Sequence, residues 1–151
     1  MPALICGSLA FDTITTFPGR FAQQILPEQV HILNVSFLVP TLRREWGGCA
    51  GNIAYTLKLL GGEPVILAAL GSDGDEYIGR LKGLGVDTSQ IMTAPDHYTA
   101  QAIIITDQDN NQITAFHPGA MSLAHQARVP AQAQRADLAI EAARLAGRDL
   151  L

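Results

Sequence analysis

The chain has 151 residues, a formal net charge of −4, 48% hydrophobic residues and only 16% charged ones. That is enough for one domain with a substantial core and too apolar for a disordered segment. Ten scattered basic residues, two of them lysine, exclude the clustered positive face of a nucleic-acid binder, and no apolar run reaches the length of a membrane span.

In chain order, residues 3–6 are a short apolar run ending at Gly7-Ser8, which reads as a buried strand leading into a functional turn. Met1-Pro2-Ala3 lacks the basic start and cleavage site of a signal peptide, and Cys6 and Cys49 are too few for a disulfide scaffold. A reduced cytoplasm is therefore the expected setting. Residues 13–46 do not read as a crossover helix, because Ile32, Val35, Phe37 and Val39 are β-prone while Pro18, Pro27 and Pro40 interrupt helical turns.

Residues 52–60 predict a helix with Asn52 at its start, Ile53, Leu57 and Leu60 on one buried face, and Gly61-Gly62 as its stop. Residues 64–70 form a continuous apolar strand, as expected where helices cover both faces of a sheet. Asp73 is placed to cap the next helix, which runs to about residue 84 and stops at Gly83 or Gly85. Two β-prone runs, 99–106 and 112–116, flank the turn-forming Asp107-Gln108-Asp109-Asn110-Asn111 and predict a hairpin. Residues 136–140 read as a further strand and 141–151 as rich in helix formers.

The most informative segment is Gly47-Gly48-Cys49-Ala50-Gly51-Asn52-Ile53-Ala54. Glycines let backbone approach a ligand closely, and Asn52 supplies donors and an acceptor beside them. Such a layout suits a polyhydroxylated small molecule. Bland readings exist for each part: a tight turn for Gly47 and Gly48, a plain N-cap for Asn52, and a turn aspartate for Asp12. Cys49 has no histidine near it in sequence and reads as a small filler. His31, His97, His117 and His125 show no metal-ligand spacing, so no metal site is expected. Gly7-Ser8-Leu9-Ala10-Phe11-Asp12 lacks the later glycines of a dinucleotide loop, and no phosphate-binding Gly-x-x-x-x-Gly-Lys-Ser/Thr occurs.

The order Gly-Gly-x-Ala-x-Asn-x-Ala, followed by Gly61 and Gly71, resembles the first signature of the ribokinase-like (PfkB) carbohydrate and nucleoside kinases. Leu4 through Asp12 look like that family's first strand and acidic substrate contact, and Gly71-Ser72-Asp73-Gly74-Asp75 and Gly85-Val86-Asp87 like its next turns. Residues 34–48 and 98–120 look most like the adenosine-kinase-like bacterial members, and the resemblance covers roughly residues 4–140. It implies an α/β ribokinase-like sheet with helices on both faces, limited to the N-terminal half, plus a small β-lid built from about 13–46 and 96–120. The whole chain, 1–151, would then be one partial kinase domain.

The same resemblance implies substrate contacts from Asp12, Gly47, Gly48 and Asn52. Phe37 and Phe116 would stack on a purine base from the lid or serve lid packing, and Gln101 would report on the base or face solvent. Ala10 departs from the family, many of whose members carry asparagine there. The family's late Gly-Ala-Gly-Asp motif, which holds the catalytic base and anion hole, occurs nowhere in the chain. The resulting expectation is the substrate-binding half of an ATP-dependent sugar or nucleoside kinase, adenosine being the favoured acceptor. It would have no catalytic residue of its own and little turnover alone; ATP and Mg serve the intact family but are not expected to bind this chain well. The alternatives are a non-catalytic nucleoside-binding module, a homodimer joined through lid edges, or a truncated relic.

Overall fold

The computed structural model describes residues 2–129 and 138–141. The chain opens with β1 (Pro2–Cys6) and β2 (Ala10–Thr16), then a single helical turn α1 (Phe21–Gln24) and a 3-10 helix at Pro27–Ile32. Next come β3 (Thr41–Gly47), α2 (Cys49–Leu59), β4 (Glu63–Gly71), α3 (Asp75–Gly83) and β5 (Ile91–Ala94). A hairpin of β6 (Ala100–Thr106) and β7 (Gln112–His117) leads into a second 3-10 helix, Gly119–Gln126, and β8 (Leu138–Glu141) follows.

These strands form two sheets. The body sheet is parallel in the order β5-β4-β1-β8. Its strands read as nearly unbroken apolar runs because both faces are covered. On one face Ile5, Ile66, Ala68 and Leu70 pack against Ala50 and Ala54 of α2 and Tyr77 and Leu81 of α3. On the other, Ala69 meets Ala120 and Ala124 of the second 3-10 helix, and Leu4, Cys6 and Leu67 meet Ala127 and Val129. Each fully buried leucine or isoleucine contributes about 1.5–3 kcal/mol through apolar area removed from water.

The second sheet has the order β3-β2-β6-β7, with β2 and β6 parallel and the outer pairs antiparallel. It rises from the body at one row of small residues, Gly47, Ala10 and Ala100, which pair side by side. At its far end the Asp107 carboxylate accepts hydrogen bonds from the Phe21, Asp109 and Asn111 amides, tying α1 to the hairpin tip. Burial would raise this carboxyl, but those bonds hold it below the ordinary carboxylate value.

Several local expectations change. The buried face of α2 is Ala50, Gly51 and Ala54, while Ile53 and Leu57 are half-buried and Leu60 is 80% exposed. Small residues let the helix lie close to β1 and β4, which a leucine stripe would not. Residues 32, 35, 37 and 39 lie outside the sheet; the strand is the more polar Thr41–Gly47. Charged residues on an exposed edge strand blunt its tendency to pair with other chains. The hairpin falls where the turn residues place it, with Asn110 at φ 61° in the turn. Strand β8 overlaps the predicted 136–140; residues 136–137 and the helix-forming 142–151 lie outside the described residues.

Candidate functional site

The candidate site lies where the second sheet, which holds the expected lid segments and is called the lid below, leaves the body. Asp12 is the third residue of β2 and pairs with Glu45 on one side and Ala102 on the other. Paired residues share a sheet face, so Glu45, Asp12, Ala102 and Phe116 form one transverse row, with Arg43, Ile14, Ile104 and Thr114 in the next row on that face. The lid thus carries an acidic group near its base and an aliphatic wall beyond it. Asp12 is half-buried, and burial holds its carboxyl above the ordinary value.

Gly47 closes the other side of Asp12. A Cβ at Gly47 would sit 2.6 Å from the Asp12 Cγ and overlap the carboxylate oxygens, so only glycine permits this approach. Gly48 is the helix N-cap with φ 90° and ψ 140°, a conformation nearly restricted to glycine. Its missing side chain also matters, since a Cβ would lie 2.5 Å from the Ser8 carbonyl oxygen and 2.8 Å from the Ala10 nitrogen.

The amides that open α2 are satisfied from a distant part of the chain. The Ser8 hydroxyl accepts from the Cys49 amide and the Ser8 carbonyl from the Ala50 amide, both at 3.0 Å. Asn52 is therefore not the cap. It lies within the first turn, its amide donates to the Gly48 carbonyl at 3.1 Å, and its side chain is exposed. The carboxamide borders an open, largely apolar hollow of about 380 Å³ that includes Ile53, Thr56, Leu57, Leu138 and Ile140.

Beneath the glycine pair lies an aromatic cluster absent from the sequence reading. Phe11, Trp46 and Tyr77 pack with ring centroids 5.2–5.6 Å apart. The Tyr77 hydroxyl donates to the Gly47 carbonyl at 2.7 Å. Burial pushes its phenol up to about 12, with the Asp12 charge adding to the rise and Arg80 opposing it. Arg44 lies over the Phe11 ring at 3.5 Å and reaches Asp73 and Glu76, each at 3.6 Å, so lid strand β3 is tied to the body. Asp73 does not cap α3; its carboxylate accepts from the Thr99 amide at 2.7 Å, and Gly74 takes the cap position. Burial works to raise the Asp73 carboxyl, but the Thr99 bonds and the Arg44 charge hold it below the ordinary value.

The structure therefore brings Asp12 and Gly47 together with Gly48 next in the chain, leaves Asn52 in the first turn of α2 beside the hollow toward β8, and places Phe116, 55% exposed, on the same lid face as Asp12. Two other candidates are placed elsewhere. Gln101 pairs with Phe11, so it lies on the opposite face from Asp12, where its amide donates to the Thr13 hydroxyl at 2.8 Å. Phe37 packs between Phe17 and Phe21, 5.0 Å from each, in the lid's own aromatic cluster. Ser8 and Tyr77 are the residues the sequence reading passed over. Ser8 had a visible signal, a hydroxyl at the end of the first strand; Tyr77 had none. Among the described residues, no three His, Cys, Asp or Glu side chains are grouped to hold a metal, and no helix is long and apolar enough to cross a membrane.

Comparison with known proteins adds four findings. The pfkB family carbohydrate kinase profile matches residues 21–145. A nucleoside kinase of Methanothermobacter thermautotrophicus is 33% identical over 112 residues, covering 73% of this chain and 36% of that protein. The structure of Burkholderia thailandensis nucleoside kinase in complex with inosine superposes with a TM-score of 0.76 at 51% identity, over 91% of this chain and 43% of that one. The same enzyme in complex with ADP-inosine gives a TM-score of 0.68 at 55% identity, with coverage of 91% and 43%. The chain thus spans well under half the length of these relatives.

Proposed function

The chain belongs to the pfkB family of carbohydrate kinases, and from that membership we propose that it is the acceptor-binding part of a nucleoside kinase. The observation that carries this reading is the Asp12 carboxyl held against Gly47, where no side chain fits, at the foot of an aliphatic lid face. A carboxylate accepts hydrogen bonds only, so it suits a pair of neighbouring hydroxyls on a ribose. Gly47 and Gly48 let the sugar ring lie against backbone, and Asn52 supplies a further donor and acceptor. Ile14, Ala102, Ile104 and Phe116 offer an apolar surface to a flat base, Phe116 by stacking. Gln101 and Phe37 are left out of this set because of their placement. The inosine named for the Burkholderia enzyme supports a purine nucleoside as acceptor.

ATP and Mg, implied by family membership and in keeping with the ADP-inosine complex of that enzyme, do not find a fitting donor set among the described residues. No acidic cluster is grouped for a metal, and the Cys49 and Ala50 amides at the start of α2 are already bonded to Ser8. The sequence also lacks Gly-Ala-Gly-Asp. On this reading the chain's own residues bind and orient the acceptor.

Calorimetric titration with adenosine and with inosine, using ribose and fructose as controls, tests the reading. Saturable nucleoside binding that disappears in Asp12→Ala and Asn52→Ala is the expected result. No binding by a chain that unfolds cooperatively would overturn it.

A second reading, self-association through the lid, is favoured by one observation. On the face opposite Asp12, Leu42, Ile103 and Ile113 are 68%, 44% and 38% exposed on adjoining rows of the sheet. A second copy of this chain is the proposed occupant. Sedimentation equilibrium of the wild type and of Ile103→Glu checks it: a dimer abolished by the substitution supports the reading, and a wild-type monomer throughout the accessible concentration range refutes it.

A further inference from the structure

We propose that Tyr77 is a positioning residue for the acceptor site, fixing through its buried hydroxyl the distance between the glycine loop and Asp12. The inference rests on the nucleoside-binding reading above for its ligand, though not for its geometry. Tyr77 is 2% exposed and comes from α3, an element that supplies none of the proposed substrate contacts. Its ring packs against Phe11, the residue before Asp12, and against Trp46, the residue before Gly47. Its hydroxyl ends on the Gly47 carbonyl. One side chain thus touches the backbone neighbours of both groups that face each other across the site.

The space for this hydroxyl is also built into the chain. A Cβ at Gly51 would overlap the Tyr77 oxygen and lie 3.2 Å from its Cζ. Gly51 sits in the first turns of α2, where alanine has the better helix propensity. Glycine at this position makes room for the phenol. The Gly47 carbonyl, at a strand end with its residue buried, gains a strong directional donor in place of water. A loose loop at this point would let Gly47 draw back from Asp12, exposing the carboxyl and widening the site.

Tyr77→Phe removes the hydroxyl and keeps the ring. Expected is a fivefold to tenfold loss of nucleoside affinity, the order of magnitude of one neutral hydrogen bond, measured calorimetrically with inosine. Gly51→Ala should cause a similar loss, because its methyl displaces the same hydroxyl. The double variant should be no worse than the poorer single one, since both act through one contact. A purely structural role for Tyr77 would shift the urea midpoint and leave the affinity of the folded fraction unchanged. Unchanged affinity in Tyr77→Phe, or strictly additive losses in the double variant, would overturn the inference.

A second readout needs no ligand and so separates this inference from the function it builds on. The Asp12 carboxyl, raised by burial, should titrate closer to its ordinary value in Tyr77→Phe, as followed by carboxyl carbon NMR. The charged group facing it across β3 is Glu45, and across β6 it meets Ala102; the substitution alters neither. An Asp12 titration identical to wild type would refute the positioning role whether or not the wild type binds nucleoside. Failure of wild type to bind, with a shifted Asp12 titration in the variant, would instead remove only the functional reading.

Discussion

Gly48→Ala is the substitution whose cost follows most directly from the coordinates. At φ 90° and ψ 140° the residue occupies backbone space that non-glycine residues enter at a cost of about 1–3 kcal/mol. The added Cβ would also lie 2.5 Å from the Ser8 oxygen, 2.8 Å from the Ala10 nitrogen and 2.8 Å from the Leu9 Cα. All three are backbone atoms, two in the link between β1 and β2 and one at the start of β2, so no rotamer change relieves the overlap, and overpacking adds about 1–3 kcal/mol. The total is roughly 2–6 kcal/mol, a large share of a domain's stability. Gly47→Ala is the informative contrast, because there the Cβ meets the Asp12 carboxylate, a side-chain end that can swing aside. It should cost less than about 2 kcal/mol in stability yet reduce nucleoside affinity tenfold or more, through the displaced carboxylate. Urea unfolding followed by circular dichroism, paired with inosine titration, reads both quantities. A Gly48→Ala cost below about 1 kcal/mol would show that the loop relaxes freely and that close approach to the β1–β2 link does not shape the site.

Three further outcomes are expected. Because the Asp12 carboxyl titrates higher folded than unfolded, it weakens folding at pH above both values and has no such effect below both. Asp12→Asn should accordingly be as stable as wild type, or more so, at neutral pH by urea unfolding while losing nucleoside binding; clear destabilisation would contradict this. The Asp107 carboxyl is depressed, so its contribution is present above the unfolded value and lost as pH falls through the folded one. Hydrogen exchange of lid amides should therefore quicken in acid for wild type but show little further acid dependence in Asp107→Asn. Arg44→Met removes the stack on Phe11 and the pairs with Asp73 and Glu76, and should cost about 1–2 kcal/mol in urea unfolding, with the difference from wild type shrinking at high salt. Lysine at this position should not restore the loss, since it lacks the flat guanidinium.

The parts of the fold legible in the sequence are those fixed by local chemistry. The turn residues 107–111 locate the hairpin, the unbroken apolar run 64–70 locates a doubly covered strand, and the glycine pair includes Gly47, whose backbone comes close to Asp12. What escaped was set by pairing between distant segments. The face on which Gln101 points depends on its register with Phe11, ninety residues earlier in the chain, and a shift of one would have put it beside Asp12. The start of α2 lies three residues before Asn52 because Ser8, from the β1–β2 link, satisfies the first amides that a local cap would otherwise serve. Asp73 looks like a helix cap by spacing, yet the Thr99 amide and Arg44 claim its carboxylate. Phe37 is readable as an aromatic, but its packing on Phe17 and Phe21 is set by how the irregular connection between β2 and β3 folds back on itself, which carries no periodic signal.

The same long-range pairings explain how the proposed acceptor site is assembled within this stretch of chain. Three lid strands meet the body along Gly47, Ala10 and Ala100, and the small size of that row brings the Asp12 row within reach of α2. Below it, Tyr77 and Arg44 grip the lid from α3 and from β3 itself, one by a neutral hydrogen bond to backbone and the other by charge across the junction. These restraints differ in strength and in salt sensitivity: the Tyr77 bond is buried, whereas the Arg44 pairs are half-exposed and screened. Raising ionic strength should therefore loosen the lid about its base while leaving the Asp12–Gly47 contact in place. The proposed acceptor contact thus depends on the small-residue row and the phenol beneath it, and the orientation of the aliphatic wall on the charged tie. On the proposed reading, the contact with the hydroxyls and the orientation of the wall beside the base would then answer to different restraints.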